Sequence, residues 1–240
     1  MAAVTSTIPQ RIAALVTAAA TAVVIVAVSI PVFLTPQWVA FEQGRTGASG
    51  LTGFAPGELR AVTDSILHDL VFGGGFAVTA PADGRPVLDP RERAHMIDVR
   101  GVFRGFAMLA VVCAALLVAA VAGARRMGHP ERAWRAVRSG SVAVAVGVVI
   151  AGGIALLAFD AAFEVFHRLF FPGGSYTFDP GTERLVQLFP FAFWSETTIA
   201  LGGLILLLAA IVFVASGRLL ARPSNVARPA SRARAEGVAR

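Results

Sequence analysis

Four stretches of this chain are too long and too apolar to sit in a water-soluble domain: residues 12–34, 101–124, 141–166 and 197–216. A helix needs about 20 consecutive apolar residues to cross the hydrocarbon layer. Lipid offers the backbone no hydrogen bonds, so such a stretch crosses as a helix. Composition agrees, since 56% of the 240 residues are hydrophobic and only 15% are charged, against roughly 25% charged in a typical soluble domain. The expected fold class is an all-α membrane protein with four transmembrane helices. The first stretch outlasts the ~7–15-residue apolar core of a signal peptide and is followed by no A-x-A site, so it reads as a retained helix.

The basic residues set the expected orientation. All 21 are arginine, and the formal net charge is +6. The link between spans two and three carries Arg125, Arg126, Arg132, Arg135 and Arg138 against Glu131, and the C-terminal tail is equally arginine-rich. Positive segments stay inside. Both termini are thus expected in the cytoplasm, with residues 35–100 and 167–196 as outer loops on a membrane domain of residues 1–216. Residues 217–240 read as a disordered basic cytoplasmic tail drawn to anionic lipid. Arginines clustered beside apolar spans argue for a multi-pass protein of the cell membrane with lipid as its partner, and against nucleic acid. Oligomeric state is not legible. The single Cys113 lies in an apolar run, which leaves neither a disulfide framework nor a cysteine metal site.

The first outer loop is too long for a bare connection. In it Leu59, Val62, Ile66, Leu67, Leu70 and Val71 recur at helical spacing, and Gly73, Gly74 and Gly75 end the pattern. Two short extended stretches follow around Asp83-Gly84, a hairpin signal. The loop should form a small extracytoplasmic cap of a helix plus a short hairpin. Asp89, Pro90 and Glu92 then make a helix start of capping-box type. That helix can run unbroken through His95 and Arg100 into span two. In the second outer loop the aromatic density suits the membrane–water boundary, and Asp179-Pro180 could open a short helix ended by Pro190.

Spans two and three, joined by a short inner link, should form an antiparallel hairpin. His95 to Ala124 is about 44 Å of helix and Ser139 to His167 about 42 Å, at ~1.5 Å per residue. The two histidines should therefore emerge at one height on neighbouring helices. Acids flank both. Glu92 and Asp98 lie three residues either side of His95, while Asp160 and Glu164 precede His167 on its face. A carboxylate beside an imidazole fixes its tautomer and raises its basicity, as acid–base catalysis requires. Arg104 and Asp160 sit at comparable depth and are expected to pair as a structural ion pair between spans two and three. Three readings fit. The histidines act as acid and base on a substrate that includes lipid, with no cofactor. Alternatively Glu92-x-x-His95 and Glu164-x-x-His167, with Glu196 as an extra donor, hold a di-metal centre. Or the chain is a membrane scaffold or accessory protein with no chemistry.

Residues 92–100, E-R-A-H-M-I-D-V-R, and 166–194, F-H-R-L-F-F through F-D-P-G-T-E-R-L-V-Q-L-F-P-F-A-F-W, resemble a bacterial four-helix membrane family that includes the lipoprotein intramolecular transacylases. The resemblance implies an enzyme whose two functional histidines match His95 and His167. Glu92, Asp98, Arg100, Asp160 and Glu164 are expected to support that pair. It also implies a substrate, the N-terminus of a diacylglyceryl lipoprotein, whose sn-2 acyl chain moves to its own cysteine amine. A departure falls in the second outer loop, where Ser175-Tyr176 stands in place of an expected tryptophan.

Overall fold

A computed structural model of the chain describes residues 7–171, 173–174 and 176–221. The described helices are α1 (Ile8–Phe33), α2 (Pro36–Arg45), α3 (Ala48–Thr52), α4 (Pro56–Phe72), α5 (Pro90–Arg126), α6 (Pro130–Leu157), α7 (Phe159–Phe170), α8 (Arg184–Leu188) and α9 (Phe191–Leu220). Four of these, α1, α5, α6 and α9, are long and apolar enough to cross a membrane. Only 6% of the most apolar window of α5 is buried inside the molecule. So much apolar surface left outward needs lipid as its solvent, and the chain is a multi-pass membrane protein.

Helix α1 packs along both α5 and α6, and α6 packs along α9. The contact between α5 and α6 is much shorter, which corrects the expected tight hairpin of spans two and three. Small residues explain where α1 and α6 meet. A Cβ on Gly140 would lie 2.3 Å from the Ala18 carbonyl oxygen and 2.8 Å from the Thr21 Cβ. With lipid outside, close backbone approach of this kind is what draws helices together.

The third apolar stretch does not run straight to residue 166. Helix α6 stops at Leu157, Ala158 leaves helical geometry at φ −153° and ψ 58°, and α7 starts afresh. Residues 141–157 already rise ~26 Å, close to the ~30 Å of hydrocarbon. Asp160 and Glu164 follow at once, and charges belong outside that layer.

The ends of the spans meet a cap with a core of its own. Val62, Ile66, Phe76, Leu88, Met96, Leu188 and Phe193 form one buried cluster that joins α4, the 76–88 segment, the first turns of α5, and α8 with α9. In α4 the expected inward stripe is observed, except that Val71 is exposed while Thr63 is buried. No strand forms among the described residues. The hairpin reduces to one bridge, Thr79 with Pro86, closed by Ala80 N–H to Arg85 O at 2.8 Å and Val87 N–H to Val78 O at 2.9 Å. Helices α2 and α3 were not expected. Asp179-Pro180 forms a turn, and α8 starts only at Arg184. Of the tail expected over residues 217–240, α9 takes in the first part by running on to Leu220, and residues from 222 onward lie outside the described residues.

The candidate active site is a histidine pair in an aromatic wall

The capping box at the start of α5 forms as expected. Asp89 Oδ1 accepts from Glu92 N–H at 2.8 Å, and Glu92 Oε2 accepts from Asp89 N–H at 2.7 Å. From this fixed start the helix carries His95 on its second turn, in the charged segment 90–100 that precedes the apolar stretch. His167 arrives on α7, not on α6. The two imidazole rings stack, 6.2 Å between centroids and 23° between planes. His95 is 6% exposed and His167 9%.

Aromatic rings account for that burial. Phe171 and Phe178 meet His95 edge-on at 4.8 and 5.4 Å. Phe163, Phe171 and Tyr176 approach His167 at 3.9, 5.6 and 5.1 Å. Phe163 and His167 are four residues apart on α7, so their contact was readable from helical spacing. Phe178 carried no such signal, because it lies in irregular chain.

The surroundings set the chemistry of each ring. His167 Nδ1 lies 2.8 Å from the Phe163 carbonyl oxygen. A carbonyl only accepts, so Nδ1 carries the proton in the neutral ring and Nε2 keeps its lone pair. His95 Nδ1 is buried and makes no hydrogen bond to the protein. Burial pushes His95 down to about 4, His167 adds to the effect, and Asp98 opposes it. Burial also lowers His167, against the pull of the Phe163 carbonyl and of Glu164. Both imidazoles are thus neutral at physiological pH.

The flanking residues divide. Glu164 stays beside His167, accepting from Arg168 Nε at 2.7 Å and from the Tyr176 hydroxyl at 3.2 Å. Asp98 is exposed but its charge reaches His95. Glu92 does not turn to His95. Its carboxylate is buried, and Oε1 accepts from the Leu185 N–H at 2.6 Å, tying α8 to α5. Burial pushes that carboxyl up, against the two backbone N–H bonds. Arg100 points away from the pair. It donates to the carbonyls of Asp69 and Gly74 and covers the Phe76 ring at 5.2 Å. That grip holds the turn after α4, where Phe76 adopts φ +53°, a conformation rare for a bulky residue.

The expected Arg104–Asp160 ion pair does not form. An Arg104 guanidinium nitrogen lies 3.0 Å from where a Gly73 Cβ would stand, and Asp160 is exposed on the first turn of α7. The break at Ala158 separates Asp160 from the straight span that the pairing assumed. Glu196 is also elsewhere, bound to Arg45 at 2.7 Å. Among the described residues no three His, Cys, Asp or Glu side chains gather as a metal cage. A cavity of about 520 Å³ opens beyond Glu92, between Arg85–Leu88 and Thr182–Arg184, and neither histidine lines it.

The model of the family described as lipoprotein intramolecular transacylase Lit matches residues 14–194. The solved structure of the membrane integral lipoprotein intramolecular transacylase Lit from Bacillus cereus is similar, with a TM-score of 0.74 at 17% identity over 88% of this chain and 95% of that one. Variants of that protein with one histidine replaced by arginine or by alanine match with TM-scores of 0.72, at 17% identity, over 88% of this chain and 92% and 94% of theirs. No curated protein matches the sequence.

Proposed function

The chain belongs to the lipoprotein intramolecular transacylase (Lit) family, a family of transacylase enzymes, and on that premise we propose that it moves an acyl chain within a diacylglyceryl lipoprotein. The chain leaves the sn-2 ester oxygen of the glyceryl group for the α-amine of the N-terminal cysteine, and the reaction takes place at the outer leaflet. The observation that carries this reading is the stacked pair of buried imidazoles behind an aromatic wall.

The roles follow from the ring nitrogens. His167, with Nδ1–H held by the Phe163 carbonyl, presents Nε2 as a general base to the cysteine amine. The amine nitrogen attacks the ester carbonyl carbon as its proton passes to Nε2. His95 stays neutral and offers a ring N–H as hydrogen-bond donor to the carbonyl oxygen where negative charge develops. Collapse of the tetrahedral carbon breaks the bond to the glyceryl oxygen, which takes the proton back from His167. One amide forms and one ester is lost, with no covalent enzyme intermediate and no cofactor. Amine and ester belong to one molecule, so holding them together removes much of the entropic barrier. The phenylalanines exclude water that would otherwise hydrolyse the ester.

The di-metal reading finds no support in the donor geometry, because Glu92, Glu164 and Glu196 are committed to Leu185, Arg168 and Arg45. A scaffold reading gives no reason for two buried imidazoles to stack. The test is expression in a lipoprotein-reporter strain with mass spectrometry of the reporter's N-terminal lipopeptide. The expected product is the N-acylated lyso form, lost on His95→Ala or His167→Ala by a factor of roughly 10²–10⁴. Unchanged diacyl peptide at good expression would overturn the reading.

A further inference from the structure

Arg91 has no place in the chemistry above, yet it sits one helical turn before His95 and on its face. It is the grip by which α5 holds part of the aromatic wall. Phe171 needs no such grip, because it directly follows α7 and its N–H bonds the His167 carbonyl at 2.7 Å. Phe178 lies in irregular chain and is caught between two α5 residues. The Arg91 guanidinium stands 4.9 Å from its centroid, and the His95 ring meets it at 5.4 Å.

The segment that Arg91 holds is already a fixed turn. Asp179 accepts from Gly181 N–H at 2.8 Å through its side chain, and from Thr182 and Glu183 N–H at 3.1 and 2.8 Å through its carbonyl. Glu183 closes the loop, bonding the Asp179 N–H with one oxygen and Arg91 with the other. A single guanidinium thus ties both the ring of Phe178 and the carboxylate of Glu183 to α5. The planar, delocalised cation suits both tasks at once. Read as an ordinary ion pair it would matter little, since the Arg91 side chain is 52% exposed. Its consequence comes through Phe178.

We propose that Arg91 is a positioning residue that holds Phe178 over His95 and so keeps water from the imidazole. The charged and titratable groups that face His95 are His167 on α7 and Asp98 on its own helix, with Arg91 beyond the Phe178 ring. The inference deepens the transacylase reading, since a dry His95 matters most if it serves the reaction. Its readout is a titration that needs no turnover, so it stands or falls separately from that reading.

The test is NMR titration of isotopically labelled histidine in the full chain in lipid nanodiscs, with the His95 signal identified by His95→Gln. Opening the wall hydrates the ring, so Arg91→Ala should raise the His95 midpoint by about one pH unit or more toward the ordinary ~6.5. Phe178→Ala should do the same, and the double variant should go no further than either. Removing a positive charge also raises a histidine pKa, so two controls isolate the wall. Arg91→Lys keeps the charge but loses the plane, and should still shift the midpoint. Arg93→Ala removes an equal charge that bonds the Gly75 carbonyl instead, and should leave it in place. If Arg91→Ala fails to fold, Arg91→Lys decides. An unmoved His95 midpoint in Arg91→Lys at wild-type stability, or additive shifts for Arg91→Ala and Phe178→Ala, overturns the proposal.

Discussion

At the scale of residues, His95 stays neutral because Phe171, Phe178 and His167 enclose it and only Asp98 pulls the other way. A histidine held well below its unfolded value lends stability that is present above about 6.5 and is lost as pH falls toward about 4. The expected outcome is a melting temperature, measured in detergent, that declines between those two pH values. His95→Gln should flatten much of the decline, a contribution on the order of 3 kcal/mol by linkage; an identical slope in the variant would contradict the burial argument. Helix rise made it legible that His95 and His167 would emerge at one height; that their rings stack depends on the break at Ala158 and on α7, which rise does not give. Their partners were less so. Glu92 was expected beside His95 because three residues separate them on a helix, but its carboxylate satisfies the Leu185 N–H from a chain segment 93 residues away. No local spacing announces such a bond.

Among the elements, α2 and α9 meet through a cluster of charged groups. Glu42 on α2 is 1% exposed. One oxygen of its carboxyl is buried without a hydrogen-bond partner, and beside it Glu196 accepts from Arg45 Nε at 3.0 Å and Nη2 at 2.7 Å. Burial first, then the neighbouring Glu196, push the Glu42 carboxyl up, and a protonated carboxyl there can donate where a carboxylate cannot. A carboxyl raised on folding stabilises below its ordinary 4.5 and loses that contribution as pH rises through the raised value. Glu42→Gln donates at any pH, so the variant should gain melting temperature relative to wild type as pH rises above 4.5; parallel curves would remove the proton from the account. The long helices were legible because four apolar runs admit little else. The break at Ala158 and helices α2 and α3 were not, because interface depth and cap packing, rather than periodicity, decide them.

For the whole molecule, four spans and a cap on one end follow from apolar length and from the buried cluster that joins α4, α5, α8 and α9. The side of the membrane is a proposal drawn from the arginines, which would put the link at 125–138 inside and the cap outside. In a Cys113→Ser background, a cysteine at Asp83 should react in intact cells with a membrane-impermeant maleimide, whereas one at Arg132 should react only after lysis. The reverse pattern would turn the site toward the cytoplasm and remove it from lipoproteins of the outer leaflet. The central claim is that the histidine pair transfers the sn-2 chain within a single substrate. It is tested most directly with purified protein and a synthetic diacylglyceryl-cysteinyl peptide labelled isotopically in the sn-2 acyl chain, mixed with an unlabelled peptide of different mass. The label should appear as an amide on its own peptide, and not at all with His95→Ala or His167→Ala. Label crossing to the other peptide, or transfer that survives loss of both histidines, would contradict it.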